Sequence, residues 1–262
     1  PDLIDYYMPE NGVFHNLILA KIKTLYPGHA SQMMHAFWGV GQMSFVKHAV
    51  FVNEDAPLLT DHQGIMKHIL NRLNIDDMLV TKGVVDALDH SSPKFAVGGK
   101  LGLDCTGDEI TELGIILLKD NELLERMKAI TSEVKDLKQY FTDTKNPIAV
   151  ISVEKTRNQK YLFEDLKPLF EHIKILIIVE NNKNDVNNSY MLVWRVANNI
   201  DSNRDLFIDG HTMCLDATNK NAFDNFNRRW PDDVDCSKEV IESLRERKII
   251  DVSDEFINKF YL

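Results

Sequence analysis

The sequence predicts an α/β fold: three-layer βαβ units with a largely parallel sheet, present as a degenerate duplication, plus C-terminal helices. Three observations predict it. Short apolar runs alternate with amphipathic stretches of roughly ten residues, the pattern of strands joined by crossover helices. A second series of segments repeats the first in the same order. Finally, Leu103-Asp104-Cys105-Thr106 recurs as Leu215-Asp216-Ala217-Thr218 and closes each series.

The first series opens with the apolar run "NLILAKIK" (16–23), which stops at the turn signal Pro27-Gly28. "ASQMMHAFWGV" (30–40) sets Met33, Met34, Phe37 and Trp38 on one helical face. "HAVFVNED" (48–55) reads as a buried strand with a polar end. "GIMKHILNRL" (64–73) carries a second helical stripe, and "MLVTKGVVDAL" (78–88) reads as a strand running into a loop. In "NELLERMKAITSEVKDLKQYF" (121–141), Leu123, Leu124, Met127, Ile130, Val134, Leu137 and Phe141 predict one long helix, which Asn146-Pro147 ends.

The pattern then restarts. "PIAVISVEKT" (147–156) resembles "NLILAKIKT", "LFEDLKPLF" (162–170) takes the place of the first helix, and "ILIIVENN" (175–182) matches "AVFVNED". "YMLVWRVANNID" (190–201) lies over "IMKHILNRLNID" (65–76), pairing Met66 with Met191 and Ile75 with Ile200. The expected division is a first α/β unit over 1–115, a connecting helix over 116–146, a second copy over 147–235 and terminal helices over 236–262. Ser237 suits the N-cap of the first terminal helix. Phe256, Ile257, Phe260, Tyr261 and Leu262 make an apolar end, expected to dock on the protein's own core or on a partner subunit.

The chain's 262 residues suffice for one large or two modest domains. Its net charge of −10 argues against a non-specific nucleic-acid partner or an anionic lipid surface. Three scattered cysteines, with no Cys-x-x-Cys pair, favour a reduced, cytoplasmic protein over a disulfide framework or a zinc ribbon. No apolar run reaches the length of a transmembrane segment. The first residue is Pro1 and not Met, so the chain is expected to be part of a longer protein.

Chemistry-bearing patterns are few. "AVGGKLG" (96–102) has neither Walker nor dinucleotide-loop spacing, and is read as a turn before a strand. No His-x-x-x-His pair suggests a metal. "LDHSSP" (88–93) sets Asp89, His90, Ser91, Ser92 and Pro93 in a polar loop after a predicted parallel strand, where α/β folds place ligands. Lys47, in "GQMSFVKH", is either an ordinary strand-end lysine or a point charge for a phosphate.

"GVFHNLILAKIKTLYPGHASQMM", "GQMSFVKHAVFVNED", "LDHSSP" and "GGKLGLDCT" resemble, in order and approximate spacing, the C-terminal domain of UbiD-type decarboxylases. These include the 3-polyprenyl-4-hydroxybenzoate carboxy-lyases of ubiquinone biosynthesis and related menaquinone-pathway enzymes. "LDATNK" (215–220) and "RRWPDDVDCSKEV" (228–240) are similar to the family's usual ending. The resemblance implies a carboxy-lyase that decarboxylates an aromatic or unsaturated acid with prenylated FMN. The cofactor is shared with an N-terminal flavin-binding domain, which holds the catalytic Glu-Arg-Glu set and the divalent metal. No stretch here resembles that domain, so this chain is expected to hold no catalytic residue and to be inactive alone. By the same resemblance Lys47 approaches the flavin phosphate, residues 89–93 lie near the substrate pocket, and the terminal helices join subunits of a homo-oligomer. The first copy lacks the Asn-Lys that usually follows Leu-Asp-x-Thr, as if a unit over about 111–213 were inserted into the family's ending. The alternative is a non-catalytic α/β assembly module.

Overall fold

The computed structural model describes residues 2–13, 15–112, 114–234 and 236–261; Pro1 and Leu262, which figure in the sequence reading, lie outside the described residues. Two five-stranded mixed sheets with the same strand order make up the body. The first contains β1 (Leu3–Tyr7), β2 (Leu17–Ile22), β3 (His48–Val52), β4 (Leu79–Val84) and β5 (Val97–Cys105), ordered β1-β2-β3-β5-β4. The second contains β6 (Val134–Tyr140), β7 (Ile148–Val153), β8 (Ile175–Glu180), β9 (Leu206–Asp209) and β10 (Thr212–Asp216), ordered β6-β7-β8-β10-β9. In each, three parallel strands form the centre and an antiparallel strand guards either edge. The helices are α1 (His29–Gly39), α2 (His62–Arg72), α3 (Asp120–Ile130), α4 (Gln159–Asp165), α5 (Ser189–Asn199), α6 (Ser202–Asp205), α7 (Lys238–Glu246) and α8 (Asp254–Asn258).

The duplication extends to the hydrogen bonds. Leu103 pairs with Val50 and Leu215 with Ile177, so the two Leu-Asp-x-Thr stretches are equivalent closing strands. Asp104 Oδ1 accepts from the Thr106 backbone N–H at 3.0 Å and hydroxyl at 2.7 Å; Asp216 Oδ1 does the same for Thr218 at 3.0 and 2.6 Å. The carboxylate closes an Asx turn that bends the chain out of the sheet.

Three details differ from the sequence reading. The predicted helix over 121–141 ends at Ile130, and 134–140 is the edge strand β6 of the second sheet. The register of β6 against β7 shifts between Val134 and Asp136, a bulge that puts Val134 and Leu137 on the same buried face. That i, i+3 spacing imitates a helix although the backbone is extended. The stretch 116–146 is therefore no connecting helix: α3 packs on β6, and both belong to the second unit. β1 carries an equivalent bulge between Leu3 and Asp5.

The helix alignment also moves. Asp61 caps α2 through the Gly64 N–H and Asn188 caps α5 through the Met191 N–H, so Met191 matches Gly64 and Ile200 matches Leu73. Finally, "VGGK" is no turn before a strand but the start of β5 itself. Its glycines let another segment lie against the sheet, as described below.

Four apolar clusters hold the body together. α1 covers one face of the first sheet with Met34, against Ala20, Ala49 and Phe51. On the second sheet α3 and α4 bury Leu123, Met127, Leu162 and Phe163 against Ile151, Leu176 and Ile178. α5 sets Leu192 on Val150 and Val179. The remaining cluster joins the units, packing Ile65, Ile69 and Val50 of the first against Ile175 and Met213 of the second. The apolar tail folds back within the chain: Phe260 meets Tyr190 edge-on, and Asn188 donates to the Lys259 and Tyr261 carbonyls. Among the described residues no helix is long and apolar enough to cross a membrane.

Candidate functional site

Lys47 immediately precedes β3, and residues 85–96 connect β4 to β5, so both lie at the N-terminal ends of the parallel strands. β4 runs antiparallel to β5. The loop with Asp89, His90, Ser91, Ser92 and Pro93 thus follows an antiparallel edge strand, opposite the strand end where α/β folds usually hold ligands. The expectation from strand order is corrected on that point.

The structure does bring Lys47 and this loop together. Lys47 Nζ donates to Asp89 Oδ1 at 2.8 Å, to Ser91 Oγ at 2.7 Å and to the Asn198 carbonyl at 3.4 Å. An ammonium has three donors, and these three acceptors use them. Asp89 turns its other oxygen to the Ser92 N–H at 2.8 Å. Lys47, Asp89, Ser91 and Ser92 are buried, whereas Pro93 is exposed and His90 is half-buried against Trp230.

Burial alone would raise the Asp89 carboxyl, but the Lys47 charge and the hydrogen bonds from Lys47, Ser91 and Ser92 outweigh it and hold it below its ordinary range. Burial pushes the His90 imidazole down, against the contact of its Nε2 with Asn199 Oδ1 at 3.2 Å. Neighbouring His48 is lowered to about 3, chiefly by burial and next by the Lys47 charge. Lys100, from the Gly-Gly-Lys stretch, is lowered to about 7 for the same two reasons, and donates to the Ser44 and Val46 carbonyls at 2.6 and 2.8 Å. It secures the 3-10 turn before Lys47 through these two carbonyls.

Sequence reasoning missed the residues of the second unit that meet this loop. Arg204 Nη1 donates to the Ser91 carbonyl at 2.9 Å and is itself held by Asp205 at 2.8 and 2.7 Å. Arg228 Nη1 reaches the Asp89 and Ser92 carbonyls at 3.1 and 2.8 Å. Asp201 Oδ2 accepts from the Gly99 N–H at 2.8 Å. A Cβ on Gly99 would fall 2.6 Å from Ser202 Oγ and 2.7 Å from Asp201 Oδ1, which explains the glycine. The Gly98-Gly99 pair was the one available signal of a close approach.

Whether these residues suit a flavin phosphate follows from the donor count. Lys47 has no donor left, and its side chain is 1% exposed, so as arranged here it does not fit that group. Among the described residues no three His, Cys, Asp or Glu side chains are grouped to hold a metal ion.

Comparison with known proteins gives a consistent family. A Helicobacter pylori (strain J99) protein is 52% identical over 265 residues, covering 100% of this chain and 42% of the relative. An Archaeoglobus fulgidus protein is 32% identical over 145 residues, 52% of this chain and 30% of the relative. The chain thus spans about two fifths (42%) of the length of that Helicobacter pylori relative. Among solved structures, the UbiD-class enzyme HmfF from Pelotomaculum thermopropionicum in complex with FMN is 22% identical over 40% of this chain and 23% of that one, with a TM-score of 0.37. The vanillic acid decarboxylase of Sedimentibacter hydroxybenzoicus in open form is 16% identical over 44% and 26%, with a TM-score of 0.34. The family model described as the 3-octaprenyl-4-hydroxybenzoate carboxy-lyase C-terminal domain matches residues 1–105 and 115–240, stretches that coincide with the two sheets and their helices. The chain belongs to that family of carboxy-lyase C-terminal domains.

Proposed function

We propose that this chain is the C-terminal part of a UbiD-type carboxy-lyase that removes carbon dioxide from an aromatic or unsaturated acid in quinone biosynthesis. One observation carries the reading: the carboxy-lyase C-terminal family covers both units of the chain. The length of the relatives leaves room for the flavin-binding domain that the chemistry requires. That domain would hold prenylated FMN, which supplies the electron sink for decarboxylation. This chain's part is to wall the pocket and to carry contacts between subunits of a cytoplasmic homo-oligomer. The outward side of the 85–96 loop suits such a wall, with Leu88 and Phe95 exposed at 90% and 71% beside Pro93 and the half-buried His90.

A second reading, a non-catalytic assembly module, draws support from the commitment of Lys47 within the chain. One experiment separates the two. The longer protein containing this chain is loaded with prenylated FMN and offered a panel of aromatic and unsaturated acids, beside the 262-residue chain alone. Carbon dioxide release by the longer protein only is the expected result. Turnover by the isolated chain, or none by the loaded longer protein, overturns the proposal.

A further inference from the structure

We infer that Lys47, Asp89 and Ser91 form a latch fastening the second unit onto the first, and that the Lys47 ammonium serves this latch and not a bound anion. The inference stands independently of the decarboxylase reading.

The contacts of the loop supply the first argument. Beyond the Lys47 donation to the Asn198 carbonyl, Ser91 Oγ lies 3.3 Å from the Ile200 carbonyl, and His90 meets Asn199. Arg204 and Arg228 grip the loop's carbonyls, and Asp201 grips the backbone of β5 beside it. Asn198 and Asn199 end α5, where carbonyls lack helical partners and a cation is favoured by the helix dipole. Lys47 supplies that cation, and Asp89 neutralises it in a space closed to water.

The duplication provides an internal control. Lys174 precedes β8 as Lys47 precedes β3, yet it is only half-buried. The connection of β9 to β10 there is only Gly210-His211, with no counterpart of the 85–96 loop. At the matching junction the end of α2 is met by amides alone: Asn146 Nδ2 donates to the Leu70 and Leu73 carbonyls, and the Lys145 N–H donates to Asn71 Oδ1. Asn71 and Asn198 occupy equivalent positions in α2 and α5, and Asn198 Oδ1 likewise accepts from Asn16 of the first unit. Both junctions therefore share a neutral asparagine clasp. A buried ionic group is an addition to one of them, built from the long loop and closing over the helix end that faces it, where the other junction has only the exposed Lys67–Asp143 pair.

The test uses the whole chain as wild type, Lys47→Met and Ser91→Ala. Backbone hydrogen exchange is followed across 85–96 and 189–205, and inorganic phosphate and FMN are titrated into each protein by calorimetry. Lys47→Met is expected to speed exchange in both segments together by about tenfold or more, leaving 120–153 unchanged, because local opening follows lost local contacts. Phosphate and FMN should show the same binding, or the same lack of it, in all three proteins. Ser91→Ala keeps both charges and should give the same pattern with a smaller change, which covers the case in which Lys47→Met does not fold. Weakening of phosphate or FMN binding by Lys47→Met, or unchanged exchange over 189–205, overturns the latch. Neither result touches the decarboxylase reading, which is decided by carbon dioxide release from the longer protein.

Discussion

The Lys47 ammonium lies 2.8 Å from Asp89 Oδ1, and the two side chains are 1% and 2% exposed. A buried pair of this kind is costly to break from one side, because the remaining charge is left without a partner, typically at about 3–5 kcal/mol. Lys47→Met and Asp89→Asn should each lower the unfolding free energy by about 3 kcal/mol, and the double variant by clearly less than their sum. Urea titration of the four proteins checks this, and additive losses would show that the two groups do not act as a pair. Because the folded Asp89 carboxyl titrates below its ordinary range, its contribution is present above the unfolded value of about 3.9 and is lost as pH falls below it towards the folded value.

His48 stands in the first unit where Ile175 stands in the second, at the start of the central strand. Its imidazole is buried, and its Nε2 has no hydrogen-bond partner among the described residues. With the folded value near 3 and the unfolded value near 6.5, the unfolded chain takes up the proton first. Stability should therefore fall as pH drops from about 6.5 towards 3, at up to about 1.4 kcal/mol per unit. His48→Ile should flatten that slope in denaturant titrations between pH 6.5 and 4, an expectation refuted by an unchanged slope.

Gly99→Ala should be disruptive out of proportion to its size. The added methyl meets backbone and side-chain atoms of Asp201 and Ser202 at 2.6–2.7 Å, so the second unit must shift. A loss of about 2–3 kcal/mol is expected, as for overpacked cores. Gly107→Ala, where nothing lies within 4 Å, should be near neutral. Equal melting temperatures for the two variants would contradict the close approach.

The twin Asx turns should differ in importance. Asp216 is buried and also pairs with Lys220 at 2.7 Å, whereas Asp104 is half-buried. Asp216→Ala leaves the buried Lys220 ammonium with only its longer 3.4 Å pairing to Asp205, and should cost about 3 kcal/mol, against about 1 kcal/mol for Asp104→Ala. Thermal unfolding of both variants measures the difference.

Much of the fold was legible. β2, β3, β7 and β8 are apolar runs that no helical period explains, and α2 and α5 carry helical stripes after β3 and β8. The paired Leu-Asp-x-Thr stretches revealed the duplication because each encodes its own Asx turn, a local structure that needs no distant partner. β6 was misread because a bulge changes which face a side chain occupies, and the bulge is set by pairing with β7. For the site, the sequence singled out Lys47 and residues 89–93, and the structure brings them together.

What the sequence by itself determined was the α/β class, the repeated unit and the family, all of which rest on local period and short motifs. Only the tertiary structure decided what Lys47 touches. Its acceptors include the Asn198 carbonyl, and the loop that holds it is fastened by Arg204 and Arg228, residues more than a hundred positions away. A buried charge takes its role from the groups that neutralise it, and here the docking of one unit on the other chooses those groups.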